Sequence, residues 1–117
     1  NTIADDRPAG GNILALPNGG KKLVALNNLL VTRNKLNTNL PGQVANNPNA
    51  SWDQVASAAR YDYRLKANSP LLGKYVMPSA ANGVNLIPQR EYHHPASSTS
   101  LKSRVQAPGA LQSLAAP

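Results

Sequence analysis

The stretch Lys21-Lys22-Leu23-Val24-Ala25-Leu26-Asn27-Asn28-Leu29-Leu30-Val31-Thr32 decides the fold. Two short apolar runs flank an asparagine pair, and Pro17-Asn18-Gly19-Gly20, a turn signal, leads into the first. Asn tolerates left-handed backbone and can bond its own local main chain, so the pair predicts a corner between two short strands. A helix over 21–31 is the competing reading, because Leu, Ala and Lys are good helix formers. Asn-Asn at its centre and the uncapped Gly19-Gly20 entry weigh against it, and strands are expected. The run Asn12-Ile13-Leu14-Ala15-Leu16 is read as a further short strand.

Outward from this stretch, fourteen Asn, ten Pro and eight Gly punctuate the 117 residues, so no segment stays apolar-periodic long enough for a long helix. One short helix is expected at Ser51-Trp52-Asp53-Gln54, which has the form of a capping box, continuing through Val55-Ala56-Ser57-Ala58-Ala59. Tyr61-Asp62-Tyr63-Arg64-Leu65 alternates as a short strand, and Lys66-Ala67-Asn68-Ser69-Pro70 reads as a turn before Leu71-Leu72-Gly73. Beyond Met77 the chain is loop-like, with Val84-Asn85-Leu86-Ile87 and Gly109-Ala110-Leu111-Gln112 as brief apolar islands. From Ser97 onward it is rich in Ser, Ala and Pro and is expected to run extended over a surface or to be partly disordered. The chain thus divides into an N-terminal segment with strand coils (1–47), a closing block of helix, strand and Ser-Pro turn (48–77), and an extended tail (78–117).

Composition bounds what such a chain can be. Apolar residues make up 41%, aromatic residues only 4%, with no Phe, one Trp and four Tyr, so a core must be built from Leu, Val, Ile and Ala. That suits thin repetitive layers, and the length allows one domain at most. Twelve Lys and Arg against five Asp and Glu leave a charge of +7, with a pI near 10.2. Polyanions are the first partners to weigh: nucleic acid, acidic polysaccharide or an anionic membrane surface. The bland alternative is that the charge only keeps the chain soluble. The absence of Cys removes disulfides, thiolate catalysis and Cys-rich zinc sites. No run of about 18 apolar residues exists, so no membrane-spanning helix is expected. The chain opens on Asn1 with no leader-like segment behind it, which suggests a removed leader or a longer parent.

Three blocks carry a family resemblance. The first is Gly19-Gly20-Lys21-Lys22-Leu23-Val24-Ala25-Leu26-Asn27-Asn28-Leu29-Leu30-Val31. The second is Tyr61-Asp62-Tyr63-Arg64-Leu65-Lys66-Ala67-Asn68-Ser69-Pro70-Leu71-Leu72-Gly73. The third runs from Gly83-Val84-Asn85-Leu86-Ile87-Pro88 through Glu91-Tyr92-His93-His94-Pro95 to Pro108-Gly109-Ala110-Leu111. In this order they resemble the C-terminal end of secreted right-handed parallel β-helix proteins, the architecture of many polysaccharide lyases. The second block is similar to the Asp-(Phe/Tyr)-Arg-Leu…Ser-Pro segment that ends many such helices. The third departs from the family by placing Pro108 where an aliphatic residue is usual. The resemblance implies an all-β fold, the last coils of a right-handed parallel β-helix plus a closing segment with one short helix. It also implies a secreted or cell-surface protein. In such a stack, inward Val, Ile and Leu meet the coils above and below while Asn lines up at corners. Few coils are not stable alone, so another protein chain or an upstream segment is expected to cover the open coil end.

Candidate sites follow from these pieces. Lys21, Lys22, Arg33, Lys35, Arg64 and Lys66 flank the strand candidates and could form a basic rim on an acidic sugar chain. Trp52 with Tyr61, Tyr63 and Tyr75 suits the C–H face of a pyranose, or else staples the short helix onto the last coil. His93-His94 point to opposite sides of an extended segment and Glu91 adds little, so no metal site is expected. Asp5-Asp6, Asp53 and Asp62 do not assemble a general-acid pair or a calcium site. No catalytic residue and no cofactor is expected. The basic residues are scattered, with few aromatics between them, so nucleic acid is not the expected partner. Asn49-Ala50-Ser51 is a glycosylation sequon. The leading expectation is a non-catalytic, polysaccharide-contacting part of a β-helix protein. The alternatives are the C-terminal fragment of a lyase or hydrolase whose catalytic residues lie upstream, and a small basic accessory subunit.

Overall fold

Leu23–Leu26 and Leu29–Val31 are strands, and Asn27 turns the chain between them at φ 56°. The structure is a computed structural model that describes residues 1–16 and 20–115. Its strands are β1 (Thr2–Ala4), β2 (Leu23–Leu26), β3 (Leu29–Val31), β4 (Gly42–Ala45), β5 (Val55–Ser57), β6 (Asp62–Leu65), β7 (Arg90–His93) and β8 (Ser97–Ser100). The only helical pieces among the described residues are two 3-10 turns, Trp52–Gln54 and Ala58–Arg60. The chain is all-β.

The first four strands pair in parallel. β1 lies on β3 from Thr2↔Leu29 to Ala4↔Val31, and β2 lies on β4 from Leu23↔Gly42 to Leu26↔Ala45. Leu30 makes a further parallel bridge to Asn49, donating to the Pro48 carbonyl and accepting from Ala50 N–H, both at 2.9 Å. The corner is repeated as well: Asn46, 19 residues after Asn27, has φ 54°.

Asparagine side chains tie these corners together. Asn1 Nδ2 donates to Asn28 Oδ1 at 3.0 Å, Asn28 Nδ2 donates to Asn47 Oδ1 at 2.6 Å, and Asn47 Nδ2 donates to the Ala25 carbonyl at 2.9 Å. Beside this ladder, Asn46 Nδ2 donates to Asn27 Oδ1 at 2.6 Å. Asn27 also clasps Val76 through both the N–H and the carbonyl of that residue. Asn27 and Asn28 are buried, and a buried amide is tolerated only when its polar atoms are bonded. A primary amide, with an acceptor oxygen and two donor hydrogens, can pass the bond from one layer to the next.

Leu29, Val31, Ala50, Val55, Leu65 and Ala107 form the core. Each fully buried Leu or Val contributes roughly 1.5–3 kcal/mol. The cluster joins β3 to the antiparallel pair β5–β6 and to the tail. A short helix at 51–59 was expected, and the chain folds differently there. Ser51 makes no side-chain cap bond, the first 3-10 turn ends at Gln54, and Val55 enters β5 opposite Leu65. Two isolated helical turns are costly to nucleate, whereas β5 buries Val55 and pairs its backbone with β6.

Residues 12–16, expected as a strand, form none; Ile13 and Leu14 instead line an apolar groove. The predicted turn falls largely on Pro17, Asn18 and Gly19, outside the described residues. The tail holds more order than its composition implies. β7 and β8 form an antiparallel hairpin, and Ala107, Pro108 and Gly109 are buried. Glu91, 3% exposed, accepts the N–H groups of Gln112 and Ser113 at 2.7 and 2.8 Å and the Ser113 hydroxyl at 2.6 Å. Gln112 donates to the Ala107 and Gly109 carbonyls. Gly109 N–H donates to Asn27 O at 2.8 Å, and Ala110 N–H donates to Thr2 Oγ1 at 3.0 Å. The tail thereby returns to the Asn corner.

Candidate functional site

Val55 and Leu65 turn inward from the β5–β6 pair, which leaves the connecting turns at the surface. An open cleft of about 540 Å³ lies there, lined by Trp52, Tyr61, Tyr63, Ala58, Ala59 and Asp6 among others. Tyr63 packs partly against the core, but Trp52 and Tyr61 remain 42% and 60% exposed.

Tyr61 is held in an unusual way. It ends the second 3-10 turn in left-handed backbone, φ 58° and ψ 23°, with its N–H donating to Ala58 O. For a bulky residue this conformation costs about 1–2 kcal/mol, and Gly or Asn would take it more cheaply. Its ring stacks on His94 of the β7–β8 hairpin, centroids 4.6 Å apart and planes 25° from parallel. His94 in turn meets Tyr92 edge-on at 6.4 Å, and the Tyr92 hydroxyl donates to the Pro95 carbonyl at 2.6 Å.

The neighbouring carboxylates differ. Asp5 is bonded by Arg7 through Nε and Nη2, both at 2.8 Å, which lowers its pKa to about 2. Asp6 lines the cleft and makes no ion pair among the described residues. The Arg64 side-chain bonds hold the Asp62 carboxyl below its ordinary range, with burial opposing them. Asp53 is lowered first by a hydrogen bond from Ser51.

The expected basic rim is distributed over separate parts of the fold. Lys21 and Lys22 are exposed ahead of β2, and Arg33 and Lys35 are exposed beyond β3. Lys35 borders a small hollow with Asn12, Asn34 and Asn37. Arg64 is engaged internally, binding both Asp62 oxygens at 2.8 and 2.6 Å and the Leu114 carbonyl at 3.2 Å. Lys66 is half-buried, its charge helping to lower Asp53. Of the four expected aromatics, Trp52, Tyr61 and Tyr63 meet in the cleft, while Tyr75 lines the apolar groove. His93 Nε2 lies 3.2 Å from Thr99 Oγ1, and among the described residues no three His, Asp or Glu side chains come together as a metal site.

That second concavity, about 630 Å³, is bordered by Ile3, Val24, Leu26, Ile13, Leu14 and Tyr75 among others. It lies along β1 and β2, each of which is paired on one side only among the described residues. Sequence reasoning missed the contributions of Asp6 and His94 to the cleft. Asp6 read as a solvated terminal charge, and the His94–Tyr61 approach depends on a hairpin the sequence does not signal.

No protein-family model, curated protein or solved structure matches the chain.

Proposed function

We propose that this chain is a non-catalytic closing part of a secreted or cell-surface right-handed parallel β-helix protein, contacting a polysaccharide on its flank. The observation that carries the reading is the recurrence of parallel pairing and Asn-to-Asn bonding at 19-residue offsets across Asn27–Asn46 and Asn28–Asn47. Short parallel strands stacked 27 residues apart at β1–β3 and 19 apart at β2–β4, with amides bonded at the corners, are what a coiled repeat needs. The Glu91-anchored tail packs Ala107 into the core with Leu29 and Val31 and bonds the Asn27 carbonyl through Gly109 N–H, and the edges of β1 and β2, unpaired among the described residues, await a further coil or another chain. The exposed Lys21 and Lys22 ahead of β2 and Arg33 and Lys35 beyond β3 supply dispersed cationic contacts.

Retention of the chain on a polygalacturonate-containing native gel tests the contact. The parent should be retarded at low salt, and joint replacement of Lys21, Lys22 and Lys35 by Ala should relieve most of the retardation. Equal retardation of parent and variant would remove the polysaccharide part of the reading.

A further inference from the structure

We infer that the Trp52–Tyr61–Tyr63 cleft is a saccharide subsite selective for a neutral pyranose. This deepens the polysaccharide-contact reading and rests on it, without depending on the β-helix reading.

Three observations converge. Trp52 and Tyr61 are the exposed aromatics of a concavity whose third ring, Tyr63, is anchored on the core. Aromatic faces suit the C–H face of a pyranose, and Ala58 and Ala59 add only methyl groups to the wall of the cleft. Tyr61 occupies left-handed backbone, an energetic cost that Gly or Asn would lessen, and its ring is braced from the hairpin by His94. A strained, braced and largely exposed aromatic points to a role outside folding. Finally, Asp6 lines the cleft without an ion-pair partner among the described residues. A carboxylate there accepts hydrogen bonds from sugar hydroxyls and repels a uronate. The exposed lysines face acidic units elsewhere, so a glycan carrying both neutral and acidic sugars satisfies both regions.

Trp52 is the chain's only tryptophan, so its emission reports the cleft directly. The full chain should be titrated with neutral hexasaccharides of gluco-, xylo-, manno- and galacto-configuration, and with hexagalacturonate. At least one neutral ligand should shift the emission saturably, with an affinity about tenfold or more above that of the acidic hexamer. Asp6→Asn should narrow that gap. Tyr61→Gly should weaken the neutral ligand about tenfold while leaving the thermal unfolding midpoint at or above the parental value. If that variant unfolds early, Tyr61→Asn, which also tolerates the backbone, carries the same test. An unchanged emission with every neutral ligand, equal affinity for the acidic hexamer, or undiminished binding by the Tyr61 variant would overturn the assignment. Lysine-dependent retention on polygalacturonate would survive that failure, so loss of the cleft alone is distinguishable from loss of the polysaccharide reading.

Discussion

At the scale of single residues, the corner asparagines and one glycine do work that no other side chain could take over. Asn28 sits between Asn1 and Asn47 and is 6% exposed. Asn28→Ala removes both side-chain bonds, leaving the Asn1 amide without this acceptor and the Asn47 oxygen with only the backbone N–H of position 28, a loss of about 0.5–1.5 kcal/mol per bond. Urea unfolding should show a lowered midpoint at unchanged slope. Asn28→Asp should fare no better, because a carboxylate has no hydrogen to pass to Asn47. Gly42 lies opposite Leu23 in the β2–β4 register, and a Cβ there would stand 2.0 Å from the Leu23 carbonyl oxygen, at φ 143°. Gly42→Ala must therefore push β4 off β2, and the same unfolding measurement should register a loss of several kcal/mol, beyond the ordinary cost of a point change.

Among the elements, the tail anchor and the acidic pairs set the response to mutation and pH. Glu91 gathers three hydrogen bonds from Gln112 and Ser113. Glu91→Ala strands two backbone N–H groups of the tail, and limited proteolysis should then cut between residues 101 and 113 well before the parent is cut. Glu91→Gln, which keeps an acceptor oxygen, should be intermediate. The carboxyls of Asp5, Asp62 and Asp53 are all lowered in the folded chain, Asp5 to about 2. Their contribution is present above the unfolded carboxylate range near 4 and is lost as pH falls through the folded values. The thermal midpoint should stay flat from neutral pH to about 4.5 and decline between about 4 and 2. Asp62→Asn should flatten part of that decline, since it abolishes the titrating partner of Arg64.

For the molecule as a whole, the edges of β1 and β2, unpaired among the described residues, and the open groove beside them predict association. Exposed strand edges recruit further strands, and the groove beside them sets Ile3, Val24 and Leu26 next to Asn1, Asn27 and Asn28. Light scattering on a size-exclusion column should report species heavier than 12.4 kDa that dissociate on addition of a chain able to pair with those edges. A monodisperse monomer with cooperative unfolding would contradict this. Binding of an acidic polysaccharide through dispersed exposed lysines should fall steeply with salt, because each charge contributes little and is screened beyond about 10 Å at 0.1 M.

The sequence by itself determined the local events. The strands on either side of Asn27-Asn28, the left-handed corner and the Asp62–Leu65 strand all follow from backbone preferences, which act within a few residues. So does the poverty of helix, given the density of Asn, Pro and Gly. Tertiary structure decided what depends on partners far along the chain. Ser51 to Gln54 carries a local helix signal, yet pairing of Val55 with Leu65 and their joint burial outweigh it. Glu91 reads as a stray acid until Gln112 and Ser113 arrive from 21 and 22 residues away. Arg64 reads as a free cation, but Asp62 and the Leu114 carbonyl occupy it. The cleft was half legible, since the spacing of Trp52, Tyr61 and Tyr63 suggested an aromatic group. Its carboxylate from residue 6 and its brace from residue 94 come from opposite ends of the chain. Only folding could join them, because no local preference encodes a contact between segments so distant.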